Sequence, residues 1–362
     1  MKNIQYLLVL HSVDGLGPIR LKALIDFYKD PKLAWGADGK QLKEIGIPQN
    51  VVERLTETRK NLTPEKLIED LQKDKIKFTT IFDEDYPKPL LQIYDPPTVL
   101  YYKGEIKPQD EKAIGVVGTR KMTGYGKLVT NQFTASLVSA GFTIVSGLAR
   151  GVDSEAHWTS LRNKGRTIAV LGGGLNQVYP PENINLANQI IDGKGAIISE
   201  FPPNHPSLPG NFPSRNRIIS GLSKAILVTE AAADSGSLIT ARVALEQGRD
   251  VFAIPGPVTS ALSRGPADLI KEGARLVFEP QEILDELGVE QGISNGLVLK
   301  ESLSPEEQKI LECLENEGRH IDEICRSLSL SAALVSGMLI KMEITGLVRN
   351  LGGGIYCKSA IL

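Results

Sequence analysis

Residues 113–174 read AIGVVGTRKMTGYGKLVTNQFTASLVSAGFTIVSGLARGVDSEAHWTSLRNKGRTIAVLGGG, and their alternation decides the fold. Three short apolar runs, 113–117, 143–146 and 167–171, are separated by helix-length amphipathic stretches at 126–140 and 154–163. A strand that is apolar throughout is buried on both faces, which is the mark of a parallel sheet covered by helices. The alternation continues with strands expected at 196–199, 225–229, 251–254 and 275–278. Helices are expected between most of them, at 182–191, 214–222 and 237–247. The pattern predicts an α/β core over 113–287: a Rossmann-like, doubly wound, mostly parallel sheet.

Outward from this core the texture changes. Residues 1–75 read as a helical domain, with Ile4, Leu7, Leu8 and Leu10, then Ile19, Leu21, Leu24, Ile25 and Phe27 at helix spacing. Between these runs, Val13-Asp14-Gly15-Leu16-Gly17-Pro18 resembles the turn of a helix-hairpin-helix (SAM-like) element, and Glu44-Ile45-Gly46-Ile47-Pro48 reads as a degenerate second copy. Such a turn can offer amides to a phosphate. It is equally a tight connection using glycine for positive φ. Residues 76–112, rich in Asp, Pro and Tyr, read as an irregular connector ending in a short strand at 98–102. Residues 288–303 read as a linker. Residues 304–362 then give helices at 305–315, 321–328 and 332–346 and a glycine hairpin at 347–357, the pattern of a winged-helix domain. Ser304 is placed to cap the first of these helices, with Pro305 at its first position.

The chain has 362 residues, 41% hydrophobic and 23% charged, which excludes disordered and fibrous classes. No apolar run approaches the roughly 18 residues of a membrane span, so no membrane partner is expected. Three cysteines provide no disulfide framework and point to a reducing cytoplasm. Cys313, Cys325, Cys357 and His320 contain no C-x-x-C pair, so no metal site is expected. The net charge of -2 argues against gripping nucleic acid by bulk electrostatics. Its distribution qualifies that. Residues 1–109 carry +1, residues 110–279 carry +3 and residues 280–362 carry -6.

In an open parallel sheet ligands bind beyond the carboxyl ends of the strands. Here the glycines collect at those ends: Gly118-Thr119-Arg120-Lys121, Gly147-Leu148-Ala149-Arg150-Gly151, Gly172-Gly173-Gly174, Ser235-Gly236-Ser237 and Pro255-Gly256. Glycine lets backbone amides approach an anion, and helix N-termini favour negative charge. No strict G-x-G-x-x-G and no G-x-x-x-x-G-K-[ST] occurs, so no nucleotide cofactor is expected. The loops supply cations instead: Arg120, Lys121, Arg150, and Arg215 and Arg217 flanking Asn216. Guanidinium forks match phosphate oxygens. Arg217 has a competing role, a salt bridge to Glu200 or Glu230. Asp153 and His157 sit four apart on a helix, but no G-x-S-x-G elbow accompanies them and no catalytic set assembles. Ser235 and Ser237 read as helix caps whose geometry also presents amides.

The runs GVVGTRKMTGYGK, IVSGLARGVDSEAH, AVLGGGLNQVYPPEN, ISEFP, FPSRNRIISGLS, VTEAAADSGSLITARVALEQGRDVFAIPG and LIKEGA together resemble the DNA-processing protein A (DprA/Smf) family over about 113–275. The helical and winged-helix flanks fit one architecture of that family. The loop Ser263-Arg264-Gly265-Pro266-Ala267-Asp268 departs from it, having Pro-Ala-Asp where members commonly carry Thr-Asn. The resemblance implies a cytoplasmic, non-enzymatic homodimer that binds single-stranded DNA without sequence preference. Such proteins protect incoming DNA and load the recombinase RecA during natural transformation and homologous recombination. It further implies that Gly118, Thr119 and Arg120 hold backbone phosphate. Arg215 and Arg217 would line the same pocket, beside the amides of Gly172, Gly173, Gly174 and of Ser235, Gly236 and Ser237. Lys121, Gly147, Arg150 and Asn216 complete the expected site. Tyr125, Tyr179 and Phe212 lie near the loops as stacking faces or as packing.

Two other readings compete. One is a nucleotide-processing enzyme of the lysine-decarboxylase-like (phosphoribohydrolase) kind, with Glu230 in its site. The other is a nucleotide sensor signalling through the tail. The tail has its own signature: residues 331–347 offer only Lys341 against Glu343, so the winged helix is expected to contact protein rather than a duplex groove.

Overall fold

A computed structural model describes residues 2–289, 304–314, 318–344 and 347–358. Contacts divide the chain into two units, Met1–Val289 and Glu290–Leu362.

The first unit opens with six helices, α1 (Ile4–His11), α2 (Pro18–Tyr28), α3 (Pro31–Gly36), α4 (Gly39–Glu44), α5 (Gln49–Asn61) and α6 (Pro64–Lys73). Their starts are legible chemistry. Pro occupies the first turn of α2, α3 and α6, while Asp30, Asp38 and Thr63 accept backbone N–H groups as N-caps. Leu7, Leu8, Leu10, Leu21, Leu24 and Leu55 are buried and share one core with Tyr101, Ala169 and Ile197. At about 1.5–3 kcal/mol per fully buried large apolar side chain, that shared core holds the helices against the sheet.

The chain continues through β1 (Lys77–Thr80), the single turn α7 (Lys88–Leu91), β2 (Val99–Gly104) and β3 (Ala113–Val117). After these come α8 (Gly124–Ser139), β4 (Thr143–Ser146), α9 (Val152–Arg162), β5 (Thr167–Val170), α10 (Ile184–Asp192), β6 (Ala196–Ser199) and α11 (Asn211–Leu222). The unit closes with β7 (Ala225–Val228), α12 (Gly236–Glu246), β8 (Asp250–Ala253), α13 (Arg264–Lys271), β9 (Arg275–Leu276) and α14 (Pro280–Glu286). Among the described residues the sheet has nine strands in the order β1-β2-β6-β5-β4-β3-β7-β8-β9. From β6 to β9 every pairing is parallel. Strands β3 to β7 are buried along their whole length, as their unbroken apolar runs require. Successive residues take opposite faces: Ile114 and Val116 pack with Phe133 and Leu137, Ala113 and Val117 with Ile218 and Leu238.

Residues 76–112 contain the short strand expected near 98–102, as β2, and add a second strand, β1, that was not expected. They contribute two antiparallel strands, with Phe78 opposite Tyr101 and Tyr101 opposite Ser199. The mixed edge was hidden because Lys77–Thr80 is short and only its last two residues are buried.

In the second unit, residues 290–303 of the expected linker and residues 315 and 346 at the expected helix ends lie outside the described residues. The unit contains α15 (Pro305–Cys313), β10 (Arg319–His320), α16 (Ile321–Leu328), α17 (Ala332–Ile344), β11 (Val348–Gly352) and β12 (Ile355–Lys358). Its strands run β10-β12-β11, with Ile310, Ile324, Val335, Leu339 and Tyr356 in the core. Ser304 accepts from Glu307 N at 3.2 Å while the Glu307 carboxylate accepts from Ser304 N at 2.8 Å, a reciprocal cap. Helices and hairpin form a winged-helix domain. No single helix among the described residues is long and apolar enough to cross a membrane.

Candidate functional site

Chain order runs outward in both directions from β3, toward β4, β5 and β6 on one side and toward β7, β8 and β9 on the other. The crevice at such a reversal, beyond the strand carboxyl ends, is where an open sheet receives a ligand. Two loops and one helix meet there. The Gly118–Thr123 loop is tied to β7 by Thr119 N donating to Glu230 O at 2.6 Å. The loop after β4 is tied to it in turn by Val152 N donating to Thr119 O at 3.2 Å. Gly151 makes that approach possible. Its φ is +74°, and a Cβ there would lie 2.3 Å from Thr119 O.

The third component is the first turn of α11. Arg215 is 4% exposed and donates through Nη1 to Gly147 O at 2.7 Å and to Val170 O. Its Nε donates to Asn216 Oδ1 at 3.2 Å, and Asn216 Nδ2 donates to Gly236 O at 3.3 Å, which links the Arg215 cradle to the Ser235–Ser237 turn. Gly147 has no room for a side chain, since a Cβ would stand 2.6 Å from the guanidinium. Burial pushes the Arg215 pKa down to about 10; Asp153 favours its charge and Arg120 opposes it. Asp153 accepts from Gly147 N at 3.1 Å and Ala149 N at 3.4 Å, and burial raises its pKa against the pull of Arg215.

Above this buried cation lies an aromatic face. The Phe212 ring has the Arg120 guanidinium 5.5 Å from its centroid and the Arg215 guanidinium at 6.0 Å. Tyr179, 43% exposed, packs on the same ring with centroids 5.8 Å apart. Arg120 itself is exposed. Arg120, Gly147, Ala149, Arg150, Tyr179, Pro180, Phe212 and Arg215 line one small cleft. Arg150 pairs across its mouth with Glu182. The chemistry on offer is an exposed cation stacked on a ring face, a buried fixed cation and the ion-paired Arg150, with the Gly118–Arg120 and Gly147–Gly151 backbones beside them. That combination suits a phosphodiester chain with planar groups attached.

Arg217 does not join this cleft. It donates to the buried Glu200 Oε2 at 2.5 Å and to the partly exposed Asp95 Oδ2 at 2.9 Å. Of its two expected roles, the structure places it in the salt bridge. Lys121 is exposed, and its backbone N donates to Thr119 Oγ1 at 3.1 Å. Among the three consecutive glycines, Gly172 backs onto Phe212. The other two pack beneath residues 202–207, and the Gly174 amide is already bonded to His205 O at 2.8 Å. Ser235 caps α12 through its contact with Ser237 N at 3.4 Å. Tyr125 donates to Pro255 O at 2.5 Å and lies outside the cleft that Tyr179 and Phe212 line.

Glu182 and Asn183 were not singled out in the sequence, although the Pro-Pro-Glu-Asn run lies beside Tyr179. Asn183 Nδ2 donates to Leu148 O at 2.7 Å and fixes that turn against the Arg150 loop. His157 is fully buried with Nδ1 2.6 Å from Thr167 Oγ1, and burial lowers its pKa to about 3. It is a neutral core residue. Glu230 is 2% exposed and accepts from Thr123 N at 2.9 Å and Thr123 Oγ1 at 2.6 Å. Among the described residues no group of three or more His, Cys, Asp or Glu is placed to hold a metal ion.

The family model for DNA recombination-mediator protein A matches residues 77–288, and that for the DprA winged helix domain matches residues 299–354. Protein Smf of Synechocystis is 37% identical over 97% of this chain and 98% of its own length. Protein Smf of Escherichia coli is 37% identical over 93% of this chain and 94% of its own. DNA processing protein DprA of Bacillus subtilis is 45% identical over 57% of this chain and 70% of its own. Among solved structures, DNA processing protein A of Streptococcus pneumoniae superposes with a TM-score of 0.69 at 36% identity, over 79% of this chain and 99% of that one. The Helicobacter pylori protein of the same name, described for its single-stranded DNA binding mode, gives 0.52 at 31% identity, over 58% and 95%.

Proposed function

Because the chain belongs to the DNA recombination-mediator protein A (DprA/Smf) family, we propose that it binds single-stranded DNA by its backbone at the Arg120–Phe212–Arg215 cleft. Binding is without sequence preference, protects incoming strands and delivers them to the recombinase RecA in natural transformation and homologous recombination. The protein works in the cytoplasm as a homodimer and catalyses no reaction. The observation that carries the reading is the exposed Arg120 guanidinium stacked 5.5 Å over Phe212 beside the buried Arg215. A cation and a ring face at a sheet's switch point bind phosphates and bases together, and neither element reads base identity. The H. pylori relative, described for single-stranded DNA binding, gives the same ligand class independent support.

Arg215 organises the cleft from beneath. Its Nη1 donates to Gly147 O and Val170 O and its Nε to Asn216, so the guanidinium is fixed in place and supplies field and shape while the exposed Arg120 makes the outer contact. The phosphoribohydrolase alternative needs Glu230 as an acid or base. Its carboxylate instead accepts two hydrogen bonds from Thr123 inside the fold.

Gel shifts with oligo-dT across a salt series test the proposal. R120A is expected to weaken binding about tenfold, by a similar factor for every sequence, and to reduce the salt slope by about one. Unchanged affinity would remove the cleft from consideration. Release of free base from a nucleoside monophosphate would favour the enzyme instead.

A further inference from the structure

We infer that Glu182 is a specificity-determining residue of this cleft: its carboxylate holds Arg150 in place of a ligand phosphate and yields only to a strand already anchored alongside. The inference rests on the single-strand reading above. Arg150 lines the cleft with Arg120 and Phe212, and among the described residues its partner is the Glu182 carboxylate. Both side chains are about half exposed. The pair therefore stands at the mouth, open to exchange with an incoming anion.

The carboxylate is not there by chance of a floppy side chain. Glu182 sits in a short 3-10 turn, Pro181–Asn183, preceded by two prolines' worth of restricted backbone. Asn183 pins that turn by donating to Leu148 O at 2.7 Å and to Ser154 Oγ at 2.9 Å, and Asn183 is itself buried. Leu148 and Arg150 belong to the same loop, so one turn holds both the anchor and the competing charge against it.

An exposed ion pair is weak, so exchanging it for a phosphate is nearly neutral. A free phosphate or mononucleotide, lacking other purchase, gains little from the exchange. A strand held by Arg120 and Phe212 presents its next phosphate at high effective concentration and makes the exchange favourable. Glu182 would thus filter small anions from chains.

The test uses the full-length protein with oligo-dT, and with dTMP as the small-anion probe, in fluorescence-anisotropy titrations. E182Q should bind oligo-dT about two- to fivefold more tightly and let dTMP compete at lower concentration. R150A should bind more weakly than wild type. R150A/E182Q should match R150A, because the competitor matters only while its target is present. A gain of equal size in the R150A background would mean that Glu182 acts only through the general field, and would overturn the inference. So would an unchanged or weakened E182Q. R120A separates the two levels: if it loses affinity while E182Q gains none, the cleft stands and the filter falls. If R120A binds as wild type, the cleft itself falls and the filter with it.

Discussion

Arg215 and Arg217 stand two positions apart on α11, a spacing that turns their side chains about 200° from each other around the helix. One guanidinium therefore enters the cleft under Phe212 while the other reaches Asp95 and Glu200. The sequence shows two arginines beside a glycine-rich edge but does not show where α11 begins. With the start at Asn211, the phase of the helix is set and only Arg215 faces Gly147. Phase also explains His157. Four residues beyond Asp153, it points between α9 and β5, where burial holds its pKa near about 3. An unfolded histidine titrates near about 6.5, so between those values the unfolded chain binds a proton that the folded chain refuses. Stability from this residue is complete above about pH 6.5 and falls as the pH drops, by about 1.4 kcal/mol per pH unit. H157N, which keeps a polar group for Thr167 without a titrating ring, should show a shallower loss of stability between pH 6.5 and 4.5. Urea unfolding at three pH values in that window measures it, and parallel curves for the two proteins would refute it.

At the level of elements, what the sequence revealed and what it withheld divide along burial. Strands β3, β4 and β6 match their expected bounds, and each is buried along its whole length. Strand β9 is only Arg275–Leu276 and exposed, and β1 is half exposed, so neither carries a full apolar signature. The candidate site was legible as an edge, through its glycines, and not as a cleft. Gly173 and Gly174 serve close packing under residues 202–207, a tertiary demand that leaves the same mark in a sequence as anion binding does. The loop that carries Arg120 shows how the elements hold the site. Both its ends hang on one residue: Thr119 N donates to the Glu230 backbone, and Thr123 donates twice to the Glu230 carboxylate at the first turn of α8. E230A would leave two donors without their acceptor and is expected to cost about 1–3 kcal/mol, with E230Q recovering most of it. Thermal unfolding of the two variants checks the stability, and oligo-dT titration checks whether the loosened loop also loses affinity. An E230A protein as stable as wild type would show that α8 starts without this clamp.

The whole molecule combines a sheet region of net +3 with a C-terminal stretch of net -6, so the overall charge of -2 conceals a division of labour. The proposed single-strand site, with an exposed arginine stacked on a ring face, needs little bulk charge, so near-neutrality is compatible with the nucleic-acid binding proposed. On its third helix, α17, the winged-helix domain carries one cation, Lys341. Lys341 of α17 is drawn 2.7 Å from the buried Glu307, while Leu334 and Ile340 of the same helix are 45% and 52% exposed. Exposed apolar side chains on this helix suit a protein partner better than a phosphate backbone. We therefore expect removal of residues 300–362 to leave oligo-dT affinity within about threefold of the full chain, with an unchanged salt slope, since no phosphate contact is lost. The same truncation should change a protein–protein readout, either the mass in solution or the rate of strand hand-over to the recombinase. Anisotropy titration together with light scattering separates the outcomes. If the truncated protein keeps its mass but loses most of its affinity, the winged-helix domain contacts DNA after all. The cleft at the sheet's switch point would then be only part of the binding surface.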